Sequence, residues 1–267
     1  SSENLADVQA TSPEEALQGL AAGVQVTNSG APGAGARVRI RGLSTVNNTN
    51  PLFIVDGVEV GGLEAVNVSD IESIEVLKDA SAAAIYGSRA AGGVVLISTK
   101  SGRPGELRVN FSSSYGQQRV TNRLNLLNTA QYVDYTTQMQ QNAGLEPPAR
   151  FDQDGFSENE NTDWQDAVFQ QGFITNNNLA VSGGSEDATY RLSLGYAREQ
   201  GTIIETGFER FSLRANSSFN LGPVTLSENL ALTYREQNNL RGDILGLAQR
   251  MPPYLNVRDA DNPGGFD

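Results

Sequence analysis

Apolar and polar residues alternate along four segments in the second half of the chain: 106–116, 188–198, 209–221 and 224–235. Successive side chains of a β-strand point to opposite faces of a sheet, so this period of two predicts strands with one apolar face and one polar face. A soluble β-sandwich and a membrane barrel fit the periodicity equally well. The polar faces carry Arg, Asn, Ser and Thr, which suits a wide, water-filled lumen.

The first hundred residues mix helix and strand signals. Ser12, followed by Pro13 and Glu15, predicts a helix start with serine at the N-cap, proline at the first helical position and glutamate closing a capping box. Gly23 is expected to end that helix. Short apolar runs separated by glycine-rich turns predict strands at 24–27, 37–42, 51–56, 58–60 and 94–97, with a further strand and an alanine-rich helical turn between 71 and 87. We therefore expect residues 1–102 to form an α+β domain around a small mixed sheet.

The charge and the missing residue types exclude several functions. The chain has 31 acidic and 19 basic residues, a net charge of −12, which disfavours nucleic acid as a partner because phosphate binding needs clustered Lys and Arg. It contains no cysteine and no histidine. A Ser-His-Asp triad, a Cys nucleophile and a Cys or His metal site are therefore excluded. We expect no enzymatic activity, no cofactor and no metal.

Two motifs suggest ligands but lack the required spacing. The glycine-rich loop at 30–35 has the order G-x-x-G-x-G, and a strand follows it where a dinucleotide loop would open a helix. The acidic stretches at 152–155 and 259–265 lack the glycine and glutamate positions of an EF-hand. Solvated loops explain all three segments better than binding sites.

A longer motif covers residues 71–102, IESIEVLKDASAAAIYGSRAAGG followed by VVLISTKSG. It closely resembles the plug-domain signature of TonB-dependent outer-membrane transporters of the SusC/RagA-like branch. The similarity extends upstream through 17–42 (LQGLAAGVQVTNSGAPGAGARVRIRG) and 51–60 (PLFIVDGVEV). Downstream it includes 162–173 (TDWQDAVFQQGF) and 181–201 (VSGGSEDATYRLSLGYAREQG). The segments occur in family order and cover nearly the whole chain.

The resemblance implies a fold, a function and partners. Residues 1–102 would be a plug, and residues 103–267 would be the N-terminal part of an outer-membrane β-barrel, with the long external loop at 117–172. The complete protein would import an oligosaccharide or a peptide, receive it from a SusD-like surface lipoprotein, and use TonB to shift the plug. The TonB-contacting segment is expected before Ser1, outside this chain, and outer-membrane lipid surrounds the barrel. Barrel strands are expected near 106–116, 173–183, 188–198, 209–221 and 224–235.

Loop lengths predict an orientation for these strands. The connections at 184–187 and 222–223 are short, whereas 117–172 is long and contains a predicted helix at 129–142. Outer-membrane barrels have short periplasmic turns and longer external loops. The strand at 106–116 should therefore run towards the outside.

The charged residues of the predicted plug are candidates for docking against the barrel. RVRIRG places Arg37, Arg39 and Arg41 on one face of a strand, where they would meet barrel acids. The other docking candidates are Glu72, Glu75, Lys78, Asp79 and Arg89. Tyr86 and Trp164 could stack on a sugar, although core packing for Tyr86 and a membrane-interface position for Trp164 are equally simple explanations.

The apolar face of the strands is expected to contact lipid. Ser193, on the polar face, should then tolerate arginine. Glu228 falls on the apolar face and is expected near a membrane boundary, because an acid at mid-bilayer is costly. The predicted lipid-facing residues are Leu107, Val109, Phe111, Tyr190, Leu192, Leu213 and Leu232.

One alternative of a different class fits the same sequence features. The chain could be a soluble or surface binding module that reuses a plug fold and a few strands for interaction. Extraction behaviour would separate the two interpretations, because a barrel requires detergent and a soluble module does not.

Overall fold

The structure is a computed structural model that describes residues 12–18, 23–40, 50–78, 84–153, 156, 160–240 and 242–257. The chain divides into two compact units. The first contains residues up to 117, 173–200 and 206–239, and the second contains 118–172, 201–205 and 240–267. No helix in the described ranges is both long and apolar enough to cross a membrane.

The N-terminal part of the first unit is an α+β domain. Its four-stranded sheet has the order β4-β3-β6-β5, with β3 and β6 parallel and the other pairs antiparallel, and β1 and β2 form a separate antiparallel pair. The 3₁₀ turn at Val68–Asp70 leads into β5, and a 3₁₀ segment at Ala84–Gly92 precedes β6. The elements are α1 (Pro13–Ala16), β1 (Val24–Thr27), β2 (Arg37–Ile40), β3 (Leu52–Val55), β4 (Val58–Val60), β5 (Ile71–Leu77) and β6 (Val94–Thr99).

Strand β6 is the centre of this domain because it has a neighbour on each side and apolar residues on both faces. Val94, Val95 and Ile97 are at most 2% exposed. They pack in two apolar clusters, one with Leu63 and Ile71 and the other with Ile54 and Ala90. This burial agrees with the prediction of a buried strand at 94–97.

The first helix begins as predicted but ends earlier. Ser12 Oγ accepts a hydrogen bond from the Glu15 backbone N at 3.3 Å, and Pro13 occupies the first helical position. The helix is only four residues long and is capped at Leu17, so the expectation that it reaches Gly23 was wrong. Leu17 is buried in the domain core, and this tertiary contact coincides with the helix end.

Two glycines allow tight changes of direction. Asp56 and Gly57 have φ of 48° and 85°, the left-handed pair that a two-residue hairpin turn needs between β3 and β4. Gly87, with φ of 67°, kinks the segment Ala84–Gly92 into two short 3₁₀ turns. The rest of the predicted helical turn, residues 80–83, lies outside the described residues.

The C-terminal part of the first unit is a five-stranded antiparallel sheet in which the strands follow chain order. Each strand covers a segment predicted as a barrel strand and extends it. Hairpin connections at 185–187 and 222–223 join β8 to β9 and β10 to β11. The strands are β7 (Gly105–Gln118), β8 (Gly172–Gly184), β9 (Ala188–Gln200), β10 (Gly207–Leu221) and β11 (Val224–Asn238).

The strand register puts like residues into rows across the sheet. One row on the exposed face holds four leucines: Leu179, Leu194, Leu213 and Leu232. The adjacent row, on the opposite face, holds Asn178, Gly195, Ser212 and Thr233. Of the residues predicted to face lipid, Leu213 is half-buried between its leucine neighbours, and the other six are exposed.

Ser193 corrects one expectation. It lies on the polar face as predicted, but that face is covered by the α+β domain and Ser193 is only 5% exposed. An arginine would overpack this position, so the expected tolerance was wrong. The period of two predicts the face of the sheet on which a side chain lies, but it does not predict what covers that face.

The second unit is built from the connection between β7 and β8, the connection between β9 and β10, and the segment after β11. Tyr254 packs its ring against Tyr132, Phe151 and Phe156 at centroid distances of 5.4–6.0 Å. The Trp164 indole N–H donates to the Pro252 carbonyl at 3.0 Å, so this ring serves loop packing. The helices are α2 (Thr129–Asn142), α3 (Trp164–Val168) and α4 (Ile244–Arg250).

Candidate functional site

The candidate site is the buried polar contact between the α+β domain and the inward face of the five-stranded sheet, both within the first unit. Three arginines of the sheet, Arg191 on β9 and Arg210 and Arg214 on β10, donate hydrogen bonds to the domain. Burying a guanidinium is costly unless it is paired, so these contacts define where the two parts fit together.

Asp70 and Arg191 form the most buried ion pair of the contact. The carboxylate and guanidinium are 3.4 Å apart, and their side chains are 6% and 10% exposed. Asp70 ends the 3₁₀ turn capped by the Asn67 side chain, and its backbone carbonyl accepts from Lys100 N at 2.8 Å. The cap and this hydrogen bond hold the backbone of the turn from which the Asp70 carboxylate projects.

The Asp56 carboxylate accepts hydrogen bonds both from its own domain and from the sheet. It accepts from the backbone N and the hydroxyl of Thr99, at 2.8 Å and 2.7 Å. From the sheet it accepts from Arg214 Nη1 at 3.0 Å and from Asn229 Nδ2 at 2.6 Å. Asp56 has a φ of 48° in the turn after β3, and its carboxylate contacts both β6 and the sheet.

Arg210 binds the domain through backbone oxygens. Its Nη1 donates to the carbonyls of Glu64 and Val66, at 2.8 Å and 3.2 Å. The Thr233 hydroxyl donates to the carbonyl between them, Ala65, at 3.2 Å. The loop 64–66 is thus held by the sheet along its backbone, whatever its side chains are.

Two glycines make the close approach of domain and sheet possible. A Cβ at Gly195 would lie less than 3.0 Å from Asn67 Nδ2, which donates to Asn178 on the neighbouring strand. A Cβ at Gly102 would lie 2.5 Å from the backbone O and 2.6 Å from the backbone C of Tyr190. Real Cβ atoms do not approach backbone so closely, so position 102 requires glycine. At Gly195 the atoms that a Cβ would meet are the side-chain ends of Asn67, Ser212 and Asn178, which would have to move.

Two ionisable groups of the domain have shifted pKa values. Burial raises the pKa of Glu14, and the nearby Glu64 carboxylate raises it further against hydrogen bonds that lower it. Burial lowers the pKa of Lys100, and Arg191 lowers it further. Lys100 Nζ donates to the Ser69 carbonyl at 2.8 Å, which retains the amine beside the Asp70 pair.

The predicted docking residues have other local positions. Glu72 pairs with Arg103 at 3.0 Å and Arg89 pairs with Glu59 at 2.6 Å, both on exposed surface of the first unit. Glu75 and Arg37 are exposed, Arg39 and Lys78 are half-buried, and Arg41 and Asp79 lie outside the described residues. Their docking role stays a prediction.

The described contact uses other residues than the predicted docking set, and the pairing of Arg37, Arg39 and Arg41 with barrel acids stays a prediction. The domain supplies carboxylates and carbonyls, and the sheet supplies arginines. Sequence reasoning missed Asp56 and Asp70, because an acid in a turn is ordinarily solvated. The sequence signal that could have predicted this contact was the presence of arginines on a strand face that is otherwise rich in Ser and Asn. Tyr86 packs against Ile54, Ala90 and Val94, which favours core packing over sugar stacking.

Comparisons with known proteins agree with this architecture. Residues 1–94 match the TonB-dependent Receptor Plug Domain family. TonB-dependent receptor SusC of Bacteroides thetaiotaomicron is 34% identical over 96% of this chain and 26% of its own length. TonB-dependent receptor P3 of Formosa agariphila is 36% identical over 94% of this chain and 25% of its own.

A solved structure of the RagAB peptide transporter superposes with a TM-score of 0.84, at 30% identity, over 98% of this chain and 34% of that one. The chain belongs to the SusC/RagA-like TonB-dependent receptors. The siderophore receptor PirA of Acinetobacter baumannii, at 19% identity and a TM-score of 0.57, shares the fold. This chain spans about a quarter of the length of the curated relatives.

Membership confirms the predicted fold class, an α+β plug followed by antiparallel strands of a transmembrane β-barrel, and the outer-membrane location. We refer to the α+β domain as the plug and to the five-stranded sheet as the barrel sheet. The sheet is open within the described residues, since β7 and β11 each have one neighbour. We expect the exposed leucine face to lie towards lipid.

Leucine 192 tests this assignment of the two faces. It is exposed on the lipid side, opposite Ala215 on β10 and Val181 on β8. Leu192→Arg is expected to destabilise the receptor by about 2–4 kcal/mol, because a cation near the bilayer midplane is costly. Urea unfolding in lipid vesicles measures the loss. Leu192→Phe is the control and should change little, and an equal effect of both variants would contradict the lipid-facing assignment.

Glu14 predicts a pH dependence of plug stability. Because burial raises its pKa in the folded plug, the fold favours the protonated acid. The stability it contributes is complete below the unfolded pKa and is lost as pH rises through the folded pKa. Glu14→Gln should therefore be more stable than the native plug at neutral pH and should show a flatter pH profile. Thermal unfolding between acidic and neutral pH checks both; identical profiles would refute the burial argument.

Proposed function

We propose that the complete receptor imports a nutrient, an oligosaccharide or a peptide, across the outer membrane, with the plug gating the barrel lumen. The observation that carries the proposal is the polar character of the contact between the plug and the barrel sheet. Plug and barrel sheet contact each other through ion pairs and side-chain hydrogen bonds, such as Asp56 with Arg214 and Asp70 with Arg191.

A polar contact of this kind suits a plug that must separate from the barrel sheet and bind to it again. Among the described residues, both buried apolar clusters of this unit consist of plug residues alone. The plug therefore keeps its own apolar core when it moves. Water can replace the hydrogen bonds that the plug makes with the barrel sheet. A shared apolar core between plug and wall would instead have made the two inseparable.

The partners follow from the same proposal. TonB supplies the displacement of the plug, and a SusD-like surface lipoprotein delivers the cargo. The similarity to SusC and to the RagAB peptide importer supports these partners and a peptide or oligosaccharide as cargo. The family relationship supports transport and gives no support to an enzymatic role or to a soluble binding module.

The proposal is tested by tethering the plug to the wall. Asn67 of the plug and Asn178 of β8 are hydrogen-bonded side chain to side chain, and the chain has no native cysteine. In the full-length receptor, with any cysteine outside residues 1–267 replaced by serine, Asn67→Cys with Asn178→Cys should form one disulfide between the plug and β8. A receptor-deleted strain, compared with its parent on a panel of oligosaccharides and peptides, first identifies the nutrient used for the assay.

Growth on that nutrient should stop in the oxidised tethered variant and return after reduction. The matched control is Ser218→Cys with Ser227→Cys, which joins two hydroxyls 3.2 Å apart on β10 and β11 without reaching the plug. That variant should import normally. Undiminished import by the oxidised plug tether, or a panel on which deletion has no effect, would contradict gated nutrient import.

A further inference from the structure

Charge is distributed unevenly between the plug and the wall it covers. Residues 1–102 contain eleven acidic and six basic residues. On the inward face of strands β8 to β11 the charged residues are Arg191, Arg210, Arg214 and Arg235 with a single acid, Glu199. The chain as a whole has a net charge of −12, so this basic wall is a local feature that composition conceals.

Three of these arginines form a ladder along the strands. Arg191 lies opposite Asn216, two residues beyond Arg214 on β10, and Arg210 lies four residues before Arg214. At about 3.3 Å per residue, the steps are about 7 Å and about 13 Å along the strand direction. We call Arg191, Arg210 and Arg214 the arginine ladder.

The plug binds each of the three arginines of the arginine ladder. Arg191 binds the Asp70 carboxylate, Arg214 binds the Asp56 carboxylate, and Arg210 binds the backbone carbonyls of loop 64–66. Removing the plug takes away these acceptors together. A guanidinium remains charged under all physiological conditions, so the uncovered wall presents three cations to the passage.

We propose that the arginine ladder binds anionic cargo in the open receptor. In the closed receptor the carboxylates of Asp70 and Asp56 and the carbonyls of loop 64–66 occupy the same guanidinium groups. The proposal rests on the gating proposed above and adds the chemical class of the cargo: oligomers that carry carboxylate groups. Guanidinium groups bind carboxylates in a bidentate geometry, and arginine-lined walls select anions in other pores. The acidic plug then acts as a competitor that is exchanged for an acidic substrate.

The first test measures ion selectivity. Gly102→Ala in the full-length receptor unseats the plug, because a Cβ there collides with the Tyr190 backbone. This variant, in a planar bilayer under a KCl gradient, should conduct with a preference for chloride. Replacing all three ladder arginines with glutamine in the same background should lower the chloride-to-potassium permeability ratio by roughly tenfold.

Two further variants separate charge from structure. Replacing the three arginines with lysine should retain most of the chloride preference. Arg198 is the matched control, because it faces outward with its guanidinium 5.4 Å from the Phe173 ring centroid, and Arg198→Gln should leave selectivity unchanged. If the triple glutamine variant does not insert into membranes, Arg191→Gln, Arg210→Gln and Arg214→Gln tested singly should each lower the ratio.

The second test uses carboxylate oligomers as probes. Trigalacturonate and a glutamate tripeptide should each block the chloride current through the Gly102→Ala receptor, whereas the neutral maltotriose should not. Block by only one of the two acids assigns the cargo to that class, saccharide or peptide. An unselective or potassium-selective current, or equal block by maltotriose, would overturn the ladder while leaving gating intact. Absence of any current through the Gly102→Ala receptor would contradict gating by the plug, and with it the proposed binding of cargo by the arginine ladder.

Discussion

Replacing Gly102 with alanine in the full-length receptor is expected to unseat the plug. A Cβ at this position would lie 2.5 Å from the backbone O and 2.6 Å from the backbone C of Tyr190, near the start of β9, the central strand of the barrel sheet. Backbone in a paired strand cannot move aside, so the segment that carries Gly102, directly after β6, must shift, and we expect it to displace the plug with it. Overpacking of this kind costs about 3 kcal/mol. The variant should conduct ions in planar bilayers and sensitise cells to a large antibiotic that the outer membrane excludes.

Gly61→Ala is the matched control for this prediction. Gly61 also belongs to the plug, and a Cβ there would meet nothing within 4 Å. Its conductance and antibiotic sensitivity should equal those of the native receptor. If Gly102→Ala remained as tight as Gly61→Ala, the close approach of the plug to β9 would be wrong.

Removing the carboxylate of Asp70 is expected to have an effect of similar size. Asp70→Ala leaves the Arg191 guanidinium, which is 10% exposed, without its ion-pair partner. Breaking a buried pair on one side costs about 3–5 kcal/mol, since the remaining charge is uncompensated. Urea unfolding of the plug in the full-length receptor, followed by the accessibility of a cysteine introduced in the plug core, measures this loss.

The double variant decides whether the loss comes from the uncompensated charge. Asp70→Ala combined with Arg191→Met should recover much of the stability, because no buried charge is left. Glu72→Ala is the control, since Glu72 and Arg103 form an exposed pair whose loss should cost at most about 1 kcal/mol. Additive losses in the double variant would show that Asp70 and Arg191 do not interact.

Several elements of the fold were predictable because their causes are local. The two-residue turn at Asp56-Gly57 needs left-handed backbone that glycine and aspartate tolerate, and the chain has those residues between two apolar runs. The helix start at Ser12 follows from the N-cap and the proline. The strands β7, β9, β10 and β11 follow from the period of two, which also assigns Leu192 and Ser193 to opposite faces.

The candidate site was not predictable in the same way. Asp56 lies 158 positions before Arg214, and Asp70 lies 121 positions before Arg191. No periodicity or capping rule links residues so far apart, and a turn acid that reaches solvent has the same local sequence as one that reaches a buried guanidinium. The sequence predicts both acids and arginines of the plug as docking residues, but it carries no local signal for the wall residue that each of them meets.

The sequence by itself determined the strand faces, the turns, the exclusion of Cys and His chemistry, and, through motif resemblance, the family. The tertiary structure decided which carboxylates meet which arginines, that Ser193 lies beneath the plug, and that α1 stops at Ala16. Local conformation depends on neighbours a few residues away, whereas the docking of two surfaces depends on their shape and charge after each has folded. That second step places the arginines of the barrel sheet against the acids of the plug.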